Sequence, residues 1–240
     1  VRIGLALSSV EERVGMLVRV RTDERVAALT FDDGPDATFT PQVLDALAAT
    51  GDCATFFVDG QAATRHPELI DRILREGHEI GLHGWSHTSA ETAEMHGLVP
   101  QLREIHLAKK AVGRRVRFYR PPYGHESRWT RLAAALCRVR LVYWSASPGD
   151  WRVTTSEELA EGIRAALQPG SIVLMHDRLR TAVDPAGFDR GYMVHALRTA
   201  RAESDLRSVT LSELQTYGNS VIRRRRHSHP PLAAMVEQAP

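Results

Sequence analysis

Two hydrophobic periods alternate along the chain. Residues 26–31 (VAALTF) form a short apolar run closed by Asp-Gly-Pro, which predicts a buried strand ending in a turn. Residues 41–49 put Val43, Leu44 and Leu47 on one face, the spacing of an amphipathic helix. Residues 53–58 (CATFFV) are aromatic and β-branched and read as a second strand. Residues 66–76 carry Leu69, Ile70, Ile73 and Leu74 as a helical stripe that stops at Gly77. The same reading predicts strands at 79–82, 116–120, 141–144, 171–175 and 208–211, and helices at 99–112, 127–137, 156–167 and 190–202. Thr155, with Glu158 three residues on, forms a capping box that opens one of these helices.

About seven strands, each followed by a helix, imply an α/β fold whose parallel sheet is covered by helices, either doubly wound or closed as a (β/α) barrel. Seven units within about 190 residues favour the small barrel. No linker or repeat divides the chain, so 26–217 is expected to be one catalytic domain, with an N-terminal extension at 1–25 and a basic, flexible tail at 218–240.

Composition narrows the function classes. With 240 residues, 43% hydrophobic and 25% charged, the chain has the balance of a soluble globular protein and needs no disulfide to build a core. Cys53 and Cys137 stand among apolar neighbours and are expected to be buried free thiols. Lysine and arginine number 31 against 29 acidic residues, a formal charge of +2, which argues against a general nucleic-acid or membrane-surface binder. The exception is the row Arg223, Arg224, Arg225 and Arg226, followed by His227 and His229, which reads as a solvated tail. No charge-free run approaches the roughly 20 residues that span a bilayer. Arg2, Glu11, Glu12 and Arg13 flank only a short apolar patch, without the pattern of a secretory signal. The expectation is a cytoplasmic protein if Val1 is the native start and a secreted one if the sequence is trimmed.

The reactive residue types gather where the predicted strands end, the place where such barrels keep their chemistry. Asp32 and Asp33 follow the first strand, His83 and His87 the third, and Arg120 ends the fourth; Asp150 and Trp151 lie beyond the fifth, and His176 ends the sixth. Two histidines at i, i+4 can converge on one ion, and a carboxylate would complete a three-ligand site with open positions. Taken singly each has an ordinary reading: a surface HxxxH, turn chemistry at Asp-Asp-Gly-Pro, a hydrogen-bonded histidine at a strand end. Two adjacent carboxylates can also divide labour, one as ligand and one as base toward a water whose pKa a metal has lowered. His176 suits a general acid near neutrality. Arg120 can pair with a carboxylate, and Asp150 can hold an imidazole in one tautomer, although structural ion-pairing describes either equally well.

Together, Thr30-Phe31-Asp32-Asp33-Gly34-Pro35, His83-x-x-x-His87, Arg120-Pro121-Pro122-Tyr123-Gly124, Asp150-Trp151 and Leu174-x-His176 resemble the five motifs of the polysaccharide deacetylases, the NodB-homology domains of carbohydrate esterase family 4. Framework segments 54–58, 77–81 and 169–174 are similar too, and the resemblance runs from about residue 26 to 214. It implies a distorted (β/α) barrel and one divalent metal ion, usually zinc. The implied ligands are Asp33, His83 and His87. Asp32 is implied as the catalytic base, with Arg120 orienting it, and His176 as the acid, with Asp150 tuning it. The backbone N–H of Tyr123 would help stabilise the oxyanion, and Trp151 and Leu174 would wall the acetyl methyl. The implied substrate is an N-acetylated amino sugar.

Two positions depart from the family pattern. Gly84 stands where the family has Ser or Thr, which would loosen the histidine loop, and Ser147 stands where the fourth motif opens with Asp. His78 belongs to the framework and is not counted as a ligand. An amidase of the same fold that hydrolyses cyclic ureides or imides is a further reading, from which the intact Asp32, Asp33, His83 and His87 lean away. Two others remain beside a saccharide deacetylase. One is a cytoplasmic amidase or deacetylase acting on a small biosynthetic intermediate. The other is a binding module that kept the barrel without turnover.

Overall fold

The computed structural model describes residues 15–223, apart from 153 and 183. The described strands are β1 (Met16–Arg21), β2 (Val26–Asp32), β3 (Ala54–Val58), β4 (Glu79–Leu82), β5 (Phe118–Tyr119), β6 (Arg140–Leu141), β7 (Ile172–His176), β8 (Arg207–Ser208) and β9 (Asn219–Arg223). The helices are α1 (Phe39–Ala48), α2 (Gly60–Arg65), α3 (Pro67–Arg75), α4 (Leu98–Val112), α5 (Arg128–Leu136), α6 (Ser156–Ala166), α7 (Gly191–Ala202) and α8 (Leu211–Leu214).

The seven strands β2 to β8 are the seven read from the hydrophobic pattern. They form one curled parallel sheet in the order β6-β5-β4-β3-β2-β7, with β8 beside β2. With its helices the sheet makes a half-barrel, the distorted (β/α) barrel expected. Every residue of β2 and β3 is buried, which is why these strands read as continuous apolar runs: parallel strands are covered on both faces. Phe31 and Phe56 stack across the β2–β3 pair at 5.2 Å.

The predicted helices all form, with ends shifted by a residue or two. Thr155 accepts from the Glu158 backbone as the capping box requires, and Ser127 with Thr130 forms a second box on α5. Replacing either cap by alanine costs about 1 kcal/mol. β5 and β6 are shorter than 116–120 and 141–144, because the curling chain continues as single bonds, Arg120 N–H to Leu82 O at 2.9 Å and Val142 N–H to Tyr119 O at 3.0 Å. Leu211, placed in a strand by its apolar neighbours, instead opens α8 with Thr210 as its cap. Cys53 and Cys137 are free, and half-buried rather than buried. Among the described residues no helix is long and apolar enough to cross a membrane.

The larger correction concerns the domain ends. Residues 16–21, assigned to the extension, are β1, and residues 219–223, assigned to the tail, are β9, and the two pair antiparallel. β1 lies between β6 and β7: Tyr143 N–H donates to Leu17 O at 2.8 Å and Val20 N–H to Gly170 O at 3.0 Å. A half-barrel has an open seam with two unpaired edges, and β1 covers it while burying Met16, Leu17 and Val20. The remaining parts of the extension and tail, residues 1–14 and 224–240 with Arg224, Arg225, Arg226, His227 and His229, lie outside the described residues.

Candidate active site

β2 ends in Asp32, and the chain turns at once through Asp33, whose φ of 74° is left-handed. The turn is tight because Asp177 stands behind it: a Cβ on Gly34 would lie 2.2 Å from an Asp177 carboxylate oxygen. The Asp33 carboxylate points into the mouth of the barrel, where its Oδ1 is 3.3 Å from His83 Nε2 and 3.0 Å from His87 Nε2. One ligand atom from each of Asp33, His83 and His87 lies within 4.8 Å of the others, and all three residues are buried.

This trio fits a divalent ion. Asp33 Oδ1 is buried without a hydrogen-bond partner, and a carboxylate with two imidazoles is the donor set of an open catalytic site. His83 Nδ1 is 2.8 Å from the carbonyl oxygen of Arg120. A carbonyl only accepts, so Nδ1 carries the proton and Nε2 turns toward Asp33. Burial works against charge on Asp33, but the His83 and His87 imidazoles beside it outweigh burial and hold the carboxyl well below its ordinary range. Burial also opposes charge on His83, and Asp32 and Asp33 together push its pKa up.

The loop between the two histidines is not loose. Gly84 has a φ of +87°, a backbone that Ser or Thr would adopt only under strain, and a Cβ there would meet Glu104 Oε2 at 3.3 Å. Glu104, buried on α4, holds the loop: it accepts from Trp85 N–H at 2.8 Å, Ser86 N–H at 3.0 Å and the Ser86 hydroxyl at 2.9 Å. Arg180 adds a second tie, donating from its backbone to Asp33 Oδ2 at 3.1 Å and from its guanidinium to Ser86 O at 3.0 Å.

Asp32 sits beside the trio but has a different partner. Arg120, fully buried, donates to Asp32 Oδ1 at 2.7 Å and is itself fixed by Thr30 Oγ1 at 2.8 Å, Tyr143 O at 2.9 Å and the Phe57 ring at 4.1 Å. Across the mouth, His176 Nδ1 is 3.1 Å from Asp150 Oδ1, and its backbone N–H donates to Asp150 Oδ2 at 2.8 Å. Arg190, with no exposed surface, donates to the same Oδ2 at 2.5 Å. Burial opposes charge on His176, yet Asp150, with Asp33 and Asp32 behind it, pushes its pKa up to about 9. Asp150 is held down in turn, its burial outweighed by His176 and Arg190.

Asp32, Asp33, His83, His87 and His176 line one cavity of about 660 Å³. Tyr123, in a 3-10 turn with φ 58° and ψ 9°, packs its ring on His87 at 4.6 Å. Trp151 meets His176 edge-on at 5.9 Å, and Leu174 lies on the same wall. Ser147, at the departure in the fourth motif, bonds Leu174 O at 3.3 Å. His78 lies apart, accepting from Ala54 N–H at 3.2 Å as a framework residue. All ten residues singled out in the sequence line this mouth or, in the case of Arg120 and Asp150, stand directly behind it. Sequence reasoning missed Glu104, Arg180 and Arg190, which lie in helices or loops among many other charges and carry no local signature.

The polysaccharide deacetylase family model matches residues 19–142. The chain belongs to this family. A peptidoglycan-N-acetylglucosamine deacetylase of Bacillus cereus is 35% identical over 206 residues, covering 82% of this chain and 92% of that protein. A chitooligosaccharide deacetylase of Sinorhizobium fredii is 37% identical over 151 residues, 62% of this chain and 70% of that one. Among solved family structures, the Bc1960 peptidoglycan N-acetylglucosamine deacetylase superposes with a TM-score of 0.73 at 29% identity, covering 88% of this chain and 98% of that one. A family pseudoenzyme from Bacillus anthracis reaches a TM-score of 0.71 at 19% identity, a likeness of fold alone.

Proposed function

We infer that this chain is a zinc-dependent N-deacetylase that hydrolyses the acetamide of an N-acetylated amino sugar within a saccharide. The observation that carries this reading is the meeting, in one cavity, of a ligand trio, a carboxylate held by a buried arginine and an imidazole held by a buried carboxylate. The relatives named for chitooligosaccharide and peptidoglycan support the substrate class. Asp33, His83 and His87 would hold the ion, which when bound polarises the acetamide carbonyl and lowers the pKa of a water.

The residues supply the remaining chemistry. Arg120 occupies one oxygen of Asp32, which leaves the other turned toward His83, 3.8 Å from its Nε2. From there Asp32 takes a proton from the attacking water as the new C–O bond forms. The N–H of Tyr123 donates to the carbonyl oxygen as charge develops on it. His176, with Nδ1 on Asp150, presents Nε2–H to the amide nitrogen and protonates it as the C–N bond breaks. Acetate and the free amine leave. Trp151 and Leu174 enclose the methyl group.

Acetate release tests this directly, from chitin oligomers, peptidoglycan fragments and small N-acetyl glycosides, each with zinc and again after chelation. Chelator-sensitive acetate from a saccharide is the expected result. No acetate from zinc-loaded protein on any of them would overturn the reading.

A further inference from the structure

The formal charge of +2 conceals a segregation. Between residues 109 and 140 ten lysines and arginines meet a single acid, Glu126, and that acid is buried against Arg131 at 2.5 Å. The remainder of the chain is correspondingly acidic. Arg120 serves the catalytic mouth, and Arg128 and Arg131 stand on the first turn of α5, but the fold gathers the other seven onto one pole: Lys109 Nζ donates to Cys137 O at 2.9 Å, joining the ends of α4 and α5, and Arg140 N–H donates to Arg117 O at 2.7 Å, joining the starts of β5 and β6. Lys110, Arg114, Arg115, Arg117 and Arg138 are all exposed there. Arg114 pairs with Asp71 at 3.2 Å, and Glu79, nearby, is engaged by Ser212. Among the described residues Lys110, Arg115 and Arg138 take part in no ion pair.

Beside these cations α5 leaves two leucines in water one turn apart, Leu132 at 43% and Leu136 at 58% exposed. We propose that this pole, made by the C-terminal ends of α4 and α5 and the starts of β5 and β6, is a peripheral docking surface for an anionic lipid bilayer. Charge complementarity selects an anionic partner. The leucines select lipid over a soluble polyanion, because an apolar side chain gains by entering the headgroup–acyl boundary and gains nothing beside phosphates in water. The catalytic groups stand at the opposite, C-terminal ends of the strands, so a chain seated in this way turns its cavity away from the bilayer.

Co-sedimentation of the full chain with phosphatidylcholine vesicles, with and without phosphatidylglycerol, tests the surface. Binding is expected only to the anionic vesicles, and it weakens as salt rises. Arg115→Gln with Arg138→Gln weakens it about 25-fold, roughly fivefold for each cation removed. Leu132→Ser with Leu136→Ser weakens it as well, and acetate release from a soluble oligosaccharide certifies the fold of both variants. No binding to anionic vesicles overturns the proposal. So does binding that survives both double variants but is lost when Arg224, Arg225 and Arg226 become glutamine. Binding that the leucine variant leaves intact and soluble polyphosphate abolishes would assign the pole to a polyanion instead.

Discussion

His83, buried just after β4, and His176, half-buried at the end of β7, both stand at strand ends of one parallel sheet, and they differ in what holds Nδ1. For His83 it is a neutral backbone carbonyl, Arg120 O at 2.8 Å. For His176 it is the Asp150 carboxylate at 3.1 Å. A carbonyl fixes the proton on Nδ1 and leaves Nε2, facing Asp33, to offer its lone pair to a metal. A carboxylate stabilises the imidazolium, so the ring keeps a proton to give away, and its pKa stands at about 9. The second atom of the contact, more than the residue type, divides ligand from acid.

The largest expected effect comes from removing the ligand side. His83→Ala loses the bound ion, measured by calorimetric zinc titration, and turnover falls by several orders of magnitude because both the polarised carbonyl and the activated water go with it. His176→Ala separates the two histidines: kcat falls by about 10² to 10⁴ while zinc affinity and KM stay near wild type. Loss of zinc from His176→Ala would merge the two roles and break the comparison.

Asp150→Asn sharpens it. The acid acts in its protonated form, so activity is lost as pH rises through the His176 pKa, and removing the carboxylate that raises that pKa moves the alkaline limb of the kcat profile down by about one to three units. Arg190 then loses a buried partner, and the melting temperature falls as well. An unmoved alkaline limb in a folded Asp150→Asn protein would take the acid role from His176. The smallest effect belongs to Glu104→Gln, which keeps an acceptor but lacks the charge that gathers Trp85 N–H and Ser86 N–H. Zinc affinity is expected to fall about tenfold, with kcat at saturating zinc unchanged.

What was legible in the sequence follows the same division. Residues that react lie at strand ends in short ordered motifs, so Asp32, Asp33, His83, His87 and His176 stand out as candidates by position and take their roles from the family resemblance, and the strands behind them announce themselves as apolar runs. Residues that hold the reacting ones act over long sequence distances. Glu104 reaches a loop 18 residues away and Arg190 a carboxylate 40 residues away, and nothing local distinguishes them from surface charges. The same holds for β1 and β9. Val18, Arg19, Val20 and Arg21 alternate as an edge strand should, but the run is short, and its partner stands some 200 residues on, beside an arginine row that reads as tail. Gly84 shows the converse error: as a departure from the family it suggested a loosened loop, whereas its left-handed backbone and the Glu104 carboxylate beneath it keep the loop in place.

The claim that the partner of Nδ1 sets each histidine's role is tested most directly by nitrogen NMR of ¹⁵N-histidine-labelled, zinc-loaded protein at pH 7. The account predicts His83 as a neutral ring protonated on Nδ1 alone, and His176 as an imidazolium protonated on both nitrogens. A neutral His176 at that pH, or a His83 protonated on Nε2, would contradict it.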